Sequence, residues 1–227
     1  MKTETLQEIL DHIAAKRAVV LATNLDSGEQ RLLQRGEGDT DAERAHVEQA
    51  LRLDACVTTD ETPQLFYQPF NPPPRMIVVG AVHIAQPLSA MAALAGYEVT
   101  VVDPRESFAA ADRFAGVALN LQWPDEALES LGLDSRCAVV TLTHDPKLDD
   151  PALQTALRSD AFFIGSLGSR KTHASRLRRL AKAGFSESDL ARVNGPVGLP
   201  IGARTPAEIA VSVVAQVTQA LRKPQPG

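Results

Sequence analysis

Small, hydroxyl-bearing and basic residues cluster in the stretch GSLGSRK, residues 165–171. Gly165 and Gly168 flank Ser166, and Ser169 and Arg170 follow where a helix is expected to begin. Free backbone amides at a helix start, with hydroxyl groups and positive charge, form a cradle for an anion. We therefore predict that this stretch binds an anionic group. The basic residues further along are expected to form a solvated helix face: Arg176, Arg178 and Arg179.

A second candidate for ligand binding is GAVHIA, residues 80–85, which follows an apolar run. Gly80 permits a tight turn and Ala85 allows close packing of a helix on a strand, as in the dinucleotide fingerprint G-x-G-x-x-G. Val82 occupies the position of the motif's middle glycine, and its side chain is expected to crowd a pyrophosphate. His83 either donates to a phosphate or caps the helix. The helix start can still attract an anion.

Polar residues follow two further apolar runs. Asp103, with Arg105 beside it, stands about 20 residues past Gly80, where an acidic residue binds a ribose diol in dinucleotide sites. Alternatively, Asp103 caps a turn ahead of Pro104.

The second of these runs, at 138–142, is followed by Thr143, His144 and Asp145. His144 and Asp145 are candidates for an acid–base pair. The alternative is a loop whose polar groups satisfy their own backbone. Nearer the end of the chain, three more candidate ligand-binding residues precede a predicted helix: Gly202, Arg204 and Thr205.

The elements that must position these residues form a predicted parallel sheet. Apolar runs occur at 76–79, 99–102, 117–121, 138–142 and 161–164, separated by amphipathic stretches. Continuous apolar runs indicate strands that are buried on both faces. The predicted fold class is therefore α/β, a Rossmann-like doubly wound parallel sheet. Ligands of such sheets bind at the carboxyl ends of the strands, where the candidate residues lie.

Helix starts are marked by local signals. Asp150 is expected to cap a helix with Pro151 just inside it. Capping-box patterns occur in SESD, residues 186–189, and in TPAE, residues 205–208.

The stretch QPFNPPPR, residues 68–75, is a stiff connector because three prolines bar a helix. It separates a small α+β domain, residues 1–70, from the Rossmann-like domain, residues 75–222. In the first domain we predict helices near 6–13 and 39–53 and strands near 18–23, 29–35 and 64–70.

Bulk composition excludes several classes of protein. With 44% hydrophobic residues and a net charge of −5, the chain can fold around a core but lacks the basic surface of a nucleic-acid-binding protein. No apolar segment predicts a secretory signal or a membrane span. The two cysteines, Cys56 and Cys137, form no paired motif, and no residue set has metal-ligand spacing. We expect a cytoplasmic protein with no metal ligands, nucleic-acid partner or membrane partner.

The chain resembles the XdhC/CoxI family of accessory proteins for molybdenum hydroxylases. The similar stretches cover nearly all of residues 75–221: VVGAVHIAQPL, GYEVTVVDPR, WPDEAL, VVTLTHDPKLDDPAL, FFIGSLGSRKTHASRL and IGARTPAEIAVS. The resemblance implies a chaperone that binds the molybdenum cofactor (molybdopterin), takes part in its sulfuration with a cysteine desulfurase, and delivers it to an apo molybdenum hydroxylase such as xanthine dehydrogenase. It favours a maturation factor over an enzyme. Whether the chaperone forms a homodimer stays open.

The chain also departs from the family pattern. Longer members carry a glycine-rich, cysteine-containing N-terminal stretch, which has no counterpart here, and this weakens a role for a cysteine of this chain in sulfur transfer. GAVHIA then represents a nucleotide-binding turn retained for a ligand with one terminal phosphate. Two other functions stay open, an NAD(P)-dependent oxidoreductase and a nucleotide-sensing regulatory module.

Overall fold

The structure is a computed structural model that describes residues 3–222. Met1 and Lys2 of the predicted N-terminal domain, and residues 223–227, lie outside the described residues. The chain divides into two compact units between Pro72 and Pro73, with the second unit running to Leu221. The predicted domain boundaries at 70, 75 and 222 stay predictions.

The first unit is a four-stranded antiparallel sheet with strand order β2-β1-β4-β3 and two helices. Its core joins Val20 and Tyr67 of the sheet to Val47 and Leu51 of the second helix. The strand of two residues, β3, was not predicted, because so short a segment shows no periodicity. The elements are α1 (Thr3–Ala14), β1 (Val19–Asn24), β2 (Gln30–Gln34), α2 (Asp41–Leu53), β3 (Val57–Thr58) and β4 (Leu65–Phe70).

The second unit alternates strands and helices. Its elements are β5 (Arg75–Val79), α3 (Ala85–Leu94), β6 (Glu98–Val102), a 3₁₀ turn (Ala111–Arg113), β7 (Ala118–Asn120), α4 (Pro124–Leu131), β8 (Cys137–Thr141), α5 (Pro146–Leu157), β9 (Phe163–Ser166), α6 (Arg170–Lys182), α7 (Glu187–Ala191), β10 (Val193–Asn194) and α8 (Pro206–Arg222).

The six strands of this unit form one parallel sheet in the order β10-β9-β8-β5-β6-β7. Counted along the sheet's own strands, this is the order 3-2-1-4-5-6 of dinucleotide-binding folds. Met76 and Val78 pack into a core on one face, and Ile77 and Val79 pack into a second core on the other. Burial on both faces explains the continuous apolar runs. The predicted Rossmann-like α/β fold is confirmed.

The fifth predicted strand, 161–164, is shifted by two residues in the structure. β9 spans Phe163–Ser166, so Gly165 and Ser166 are buried strand residues and do not belong to the loop that follows. A Cβ atom at residue 165 would lie 2.5 Å from Cγ2 of Val197. Close packing therefore requires glycine there, which the sequence pattern could not distinguish from a turn glycine.

The helix expected to start at Asp150 and Pro151 starts one turn earlier. Asp145 is its N-cap and Pro146 its first residue, while Pro151 lies inside α5. Two Asp-Pro pairs lie five residues apart in this segment, at 145–146 and 150–151, and three residues separate the first of them from the end of β8. Both predicted capping boxes are confirmed, since Ser186 pairs with Asp189 and Thr205 pairs with Glu208. No helix within residues 3–222 is long and apolar enough to cross a membrane.

Candidate functional site

The loops after β5 and β8 lie side by side at the centre of the parallel sheet. β5 pairs with β6 on one side and with β8 on the other. The direction of strand order reverses between β5 and β8, which is where ligands bind in such sheets. Gly80 has a φ of +109°, and a Cβ atom there would lie 2.5 Å from Cγ2 of Thr143. Two predicted site residues, Gly80 and Thr143, therefore meet at this position.

The turn between β5 and α3 leaves backbone amides available to a ligand. Ile84 precedes the helix and makes no capping hydrogen bond. Within residues 3–222, the amides of Val82 and His83 donate to no acceptor. His83 is exposed and does not cap α3, so one of its two predicted roles is excluded. An uncapped helix start with free N–H groups attracts anions.

Val82 is mostly buried and packs against the core on the α3 face of the sheet. The expectation that Val82 crowds a pyrophosphate stays a prediction.

The buried Asp103 and the partly exposed Arg105 form an ion pair next to this turn. The Asp103 side chain has no solvent exposure. Its Oδ2 accepts from the amide of Ala81 at 2.8 Å and from Nη2 of Arg105 at 2.7 Å. Its Oδ1 accepts from the amide and Nε of Arg105 at 3.0 and 2.8 Å. The predicted alternative, in which Asp103 caps its own turn, matches this geometry. A ribose diol would compete with four hydrogen bonds, and ribose binding stays a prediction.

Electrostatics keep the Asp103 carboxyl charged. Burial by itself would raise the pKa of Asp103, but hydrogen bonds from the Arg105 side chain and from the amides of Ala81 and Arg105 outweigh burial, and the pKa lies below its ordinary value. The Arg105 guanidinium also lies 4.2 Å from the centre of the Phe108 ring. The pair therefore presents little net charge to a ligand at the α3 turn.

The loop after β8 holds Thr143, His144 and Asp145. Asp145 caps α5, because its Oδ1 accepts from the amide of Lys147 at 2.9 Å. His144 is exposed and has a left-handed φ of 61°. No hydrogen bond joins His144 to Asp145 in the described part of the chain. The structure thus gives Asp145 a local structural role, and the acid–base pair stays a prediction.

The loop after β9 differs from the predicted cradle in two ways. Gly165 and Ser166 are buried in the strand, and the Ser166 hydroxyl pairs with that of Thr141 at 2.5 Å. Ser169 caps α6, accepting from the amide of Thr172 at 3.1 Å. Gly168 has a φ of +142°, and Arg170 is exposed at the first helical position. At this helix start the amide of Thr172 is therefore already hydrogen-bonded and is not available to an anion.

Gly202, Arg204 and Thr205 are exposed at the start of α8. Glu208 accepts from the amides of Arg204 and Thr205 at 2.7 and 2.9 Å. Across residues 3–222, no hydrogen bond or ion pair links these three residues to the loops after β5, β6, β8 or β9. Their part in ligand binding stays a prediction.

Sequence reasoning missed two charged residues beneath the loops. Arg176, predicted to be solvated, is 1% exposed, and Asp149 is 2% exposed. Arg179 is only partly exposed and binds Asp150 through Nε at 2.5 Å and Nη2 at 2.9 Å, whereas Arg178 is exposed as predicted. The available signal was spacing, because Arg176 lies four residues before the buried Leu180 and hence on the same helix face.

Asp149 connects to a predicted site residue. Its Oδ1 accepts from the Thr143 hydroxyl at 2.6 Å and from the Thr143 amide at 3.3 Å. Burial raises the pKa of Asp149, although the hydrogen bonds from Thr143 and the charge of Arg176 act against it. Among the described residues, no group of three or more His, Cys, Asp or Glu side chains is arranged to hold a metal ion.

Comparison with known proteins places the chain in a family. A family model described as the XdhC Rossmann domain matches residues 76–217. The chain is 33% identical over 165 residues to a probable xanthine dehydrogenase subunit from Bacillus subtilis (strain 168), covering 72% of this chain and 48% of that protein. It is 30% identical over 148 residues to the molybdenum cofactor insertion chaperone PaoD of Escherichia coli (strain K12), covering 65% of this chain and 40% of that one.

A crystal structure described as a xanthine dehydrogenase from Bacillus halodurans superposes with a TM-score of 0.73 at 24% identity, covering 96% of this chain and 67% of that chain. At this identity the similarity establishes a shared fold only. The chain spans less than half of the length of the two curated relatives. Because the family model matches more than half of its residues, the chain belongs to the XdhC family.

Proposed function

We propose that this protein binds the molybdenum cofactor and assists its insertion into a molybdenum hydroxylase such as xanthine dehydrogenase. Family membership and the names of two relatives support this function. The observation that carries it is the uncapped start of α3, which leaves the amides of Val82 and His83 free beside Gly80 where the strand order reverses.

The donors at this turn fit the anionic end of such a cofactor. The free amides and the positive end of α3 would hold a phosphate, and the exposed His83 imidazole is placed to add a further hydrogen bond. Arg105 neutralises Asp103, so the buried carboxylate does not repel the phosphate. A second contact with the cofactor, at Gly168, Ser169 and Arg170, is part of the same proposal.

When bound, the cofactor supplies molybdenum for the redox chemistry of the hydroxylase. This chain's residues bind and orient it. In the proposed sulfuration, the imidazole of His144 would take up or release a proton, and Asp145 would hold the loop in place by capping α5. Burial raises the pKa of the Cys137 thiol to about 11, so this cysteine stays protonated and is a poor sulfur carrier. The resemblance to the family implies that a cysteine desulfurase would supply the sulfur.

The remaining parts of the proposal concern partners and location. An apo molybdenum hydroxylase and a cysteine desulfurase are the proposed partners, and the first unit is a candidate surface for binding them. A cytoplasmic location and assembly as a homodimer belong to the same set of proposals.

Anaerobic equilibrium binding of purified molybdenum cofactor tests the function, with NAD and NADP as parallel ligands. We expect saturable uptake of the cofactor with a Kd of about 1 μM or lower, which corresponds to roughly −8 kcal/mol. His83→Asp places a carboxylate beside the free amides and should abolish uptake, whereas His83→Ala should retain most of it. Equal uptake by wild type and His83→Asp would place the ligand elsewhere.

An NAD(P)-dependent function is the second candidate, because the strand order is that of dinucleotide-binding folds. The hydrogen bonds that already occupy Asp103 act against it. Binding of NAD or NADP without uptake of the molybdenum cofactor would reverse the ranking of the two functions.

A further inference from the structure

A buried ion pair lies beneath the loops after β8 and β9. Nη2 of Arg176 is 3.7 Å from Oδ2 of Asp149, too far for a hydrogen bond, and both side chains are 2% exposed. The same Nη2 donates to the carbonyl of Leu167 at 2.8 Å, in the loop after β9. Nε and Nη1 of Arg176 are buried and have no acceptor within residues 3–222.

The pair continues into the loops of the candidate site. Asp149 accepts from Thr143, whose methyl group lies against Gly80. Arg176 holds Leu167, next to Gly168. A chain of contacts therefore runs from the turn after β5, through the loop after β8, to the loop after β9.

This pair is poorly suited to stabilising the fold. Buried ion pairs stabilise less than apolar residues of the same volume, and here two guanidinium nitrogens lack partners as well. α5 and α6 are already joined by Asp150 and Arg179, which make two short hydrogen bonds nearer the surface. Clamping these two helices together therefore does not require Arg176 and Asp149.

We propose that Arg176 and Asp149 are positioning residues, which hold the loops after β8 and β9 in the arrangement that ligand binding needs without touching the ligand. This inference rests on the proposed function in one respect, namely that the ligand binds at these loops.

The double variant Asp149→Leu/Arg176→Met tests the proposal, because it removes both charges and leaves no unpaired buried charge. We expect it to fold with a melting temperature close to that of wild type, because removal of the buried charges offsets the loss of the hydrogen bonds to Thr143 and Leu167. It should bind the molybdenum cofactor about tenfold more weakly and exchange the amides of residues 142–145 and 167–169 faster. The single variant Arg176→Lys retains the charge and should bind the molybdenum cofactor more tightly than the double variant does. The matched control Asp150→Leu/Arg179→Met should bind as wild type does.

Wild-type affinity and unchanged loop exchange in Asp149→Leu/Arg176→Met would overturn the proposal, as would an equal loss of affinity in the control. The exchange experiment is done without ligand, so it tests the positioning role of Arg176 and Asp149 separately from the proposed binding of the molybdenum cofactor. Faster exchange in both loops, combined with no cofactor uptake by wild type, would support the positioning role and overturn the proposed function.

Discussion

Thr143 fills the space that a side chain at Gly80 would need, since a Cβ atom at residue 80 would lie 2.5 Å from its Cγ2. The Thr143 hydroxyl is itself held by Asp149 at 2.6 Å. Gly80 is therefore required by the neighbouring loop as well as by its own positive φ, and the position where the strand order reverses is closely packed beneath any ligand.

Gly80→Ala should lower the free energy of unfolding by roughly 2–4 kcal/mol, because it adds backbone strain and a clash with Thr143. Urea denaturation measures this loss. Gly96→Ala is the matched control, since Gly96 has a φ of +88° and open space around it, and it should lose only about 1 kcal/mol. Thr143→Ser in the Gly80→Ala background should restore part of the loss, and equal losses for the two glycines would contradict the packing argument.

Asp103→Asn should destabilise the protein by about 2 kcal/mol, a value reduced because the Arg105 side chain is 35% exposed and solvent screens it. The pKa of Asp103 is lowered, so its stabilisation is complete above the ordinary carboxyl pKa of about 4 and is lost as pH falls through the folded-state value. The unfolding free energy of wild type should therefore fall more steeply on acidification than that of Asp103→Asn. Parallel slopes in denaturation series would refute this.

Ser169→Ala should cost about 1 kcal/mol of stability through loss of the α6 cap. Because the hydroxyl already accepts from the amide of Thr172, the proposed contact of Ser169 with the cofactor is assigned to its backbone, and the effect of Ser169→Ala on affinity should be small. Arg170→Glu should leave stability unchanged and weaken cofactor binding. Arg178 is exposed on the same helix, so Arg178→Glu serves as the control and should leave cofactor binding unchanged. Equal affinity in both charge reversals would remove the α6 start from the site.

Native protein should show one reactive thiol. Cys56 is exposed, whereas Cys137 is buried with a pKa of about 11. Labelling with a disulfide reagent at about pH 8 should modify Cys56 alone, because only a thiolate reacts. Cys56→Ser should then show no labelling until the protein is unfolded in guanidinium. Rapid labelling of folded Cys56→Ser would mean that Cys137 is accessible to sulfur transfer.

Much of the fold was predictable because its signals are local. Strands buried on both faces produce continuous apolar runs, so five of the six parallel strands were found. The β10 strand has two residues and depends on pairing with β9, so no local sequence pattern predicts it. Both capping boxes were found because each joins residues three positions apart.

The contacts within the site were less predictable, because its polar side chains bind partners that are distant in the sequence. Asp103 was recognised by its position, but its bond to the amide of Ala81 depends on the pairing of β5 with β6. Arg176 reads as part of a solvated helix face, yet folding brings it 3.7 Å from Asp149. Spacing along the chain thus indicates which residues reach the carboxyl edge of the sheet. The packing of neighbouring loops determines which of them are buried, paired or free to meet a ligand, since burial and ion pairing depend on groups that meet only once the sheet has formed.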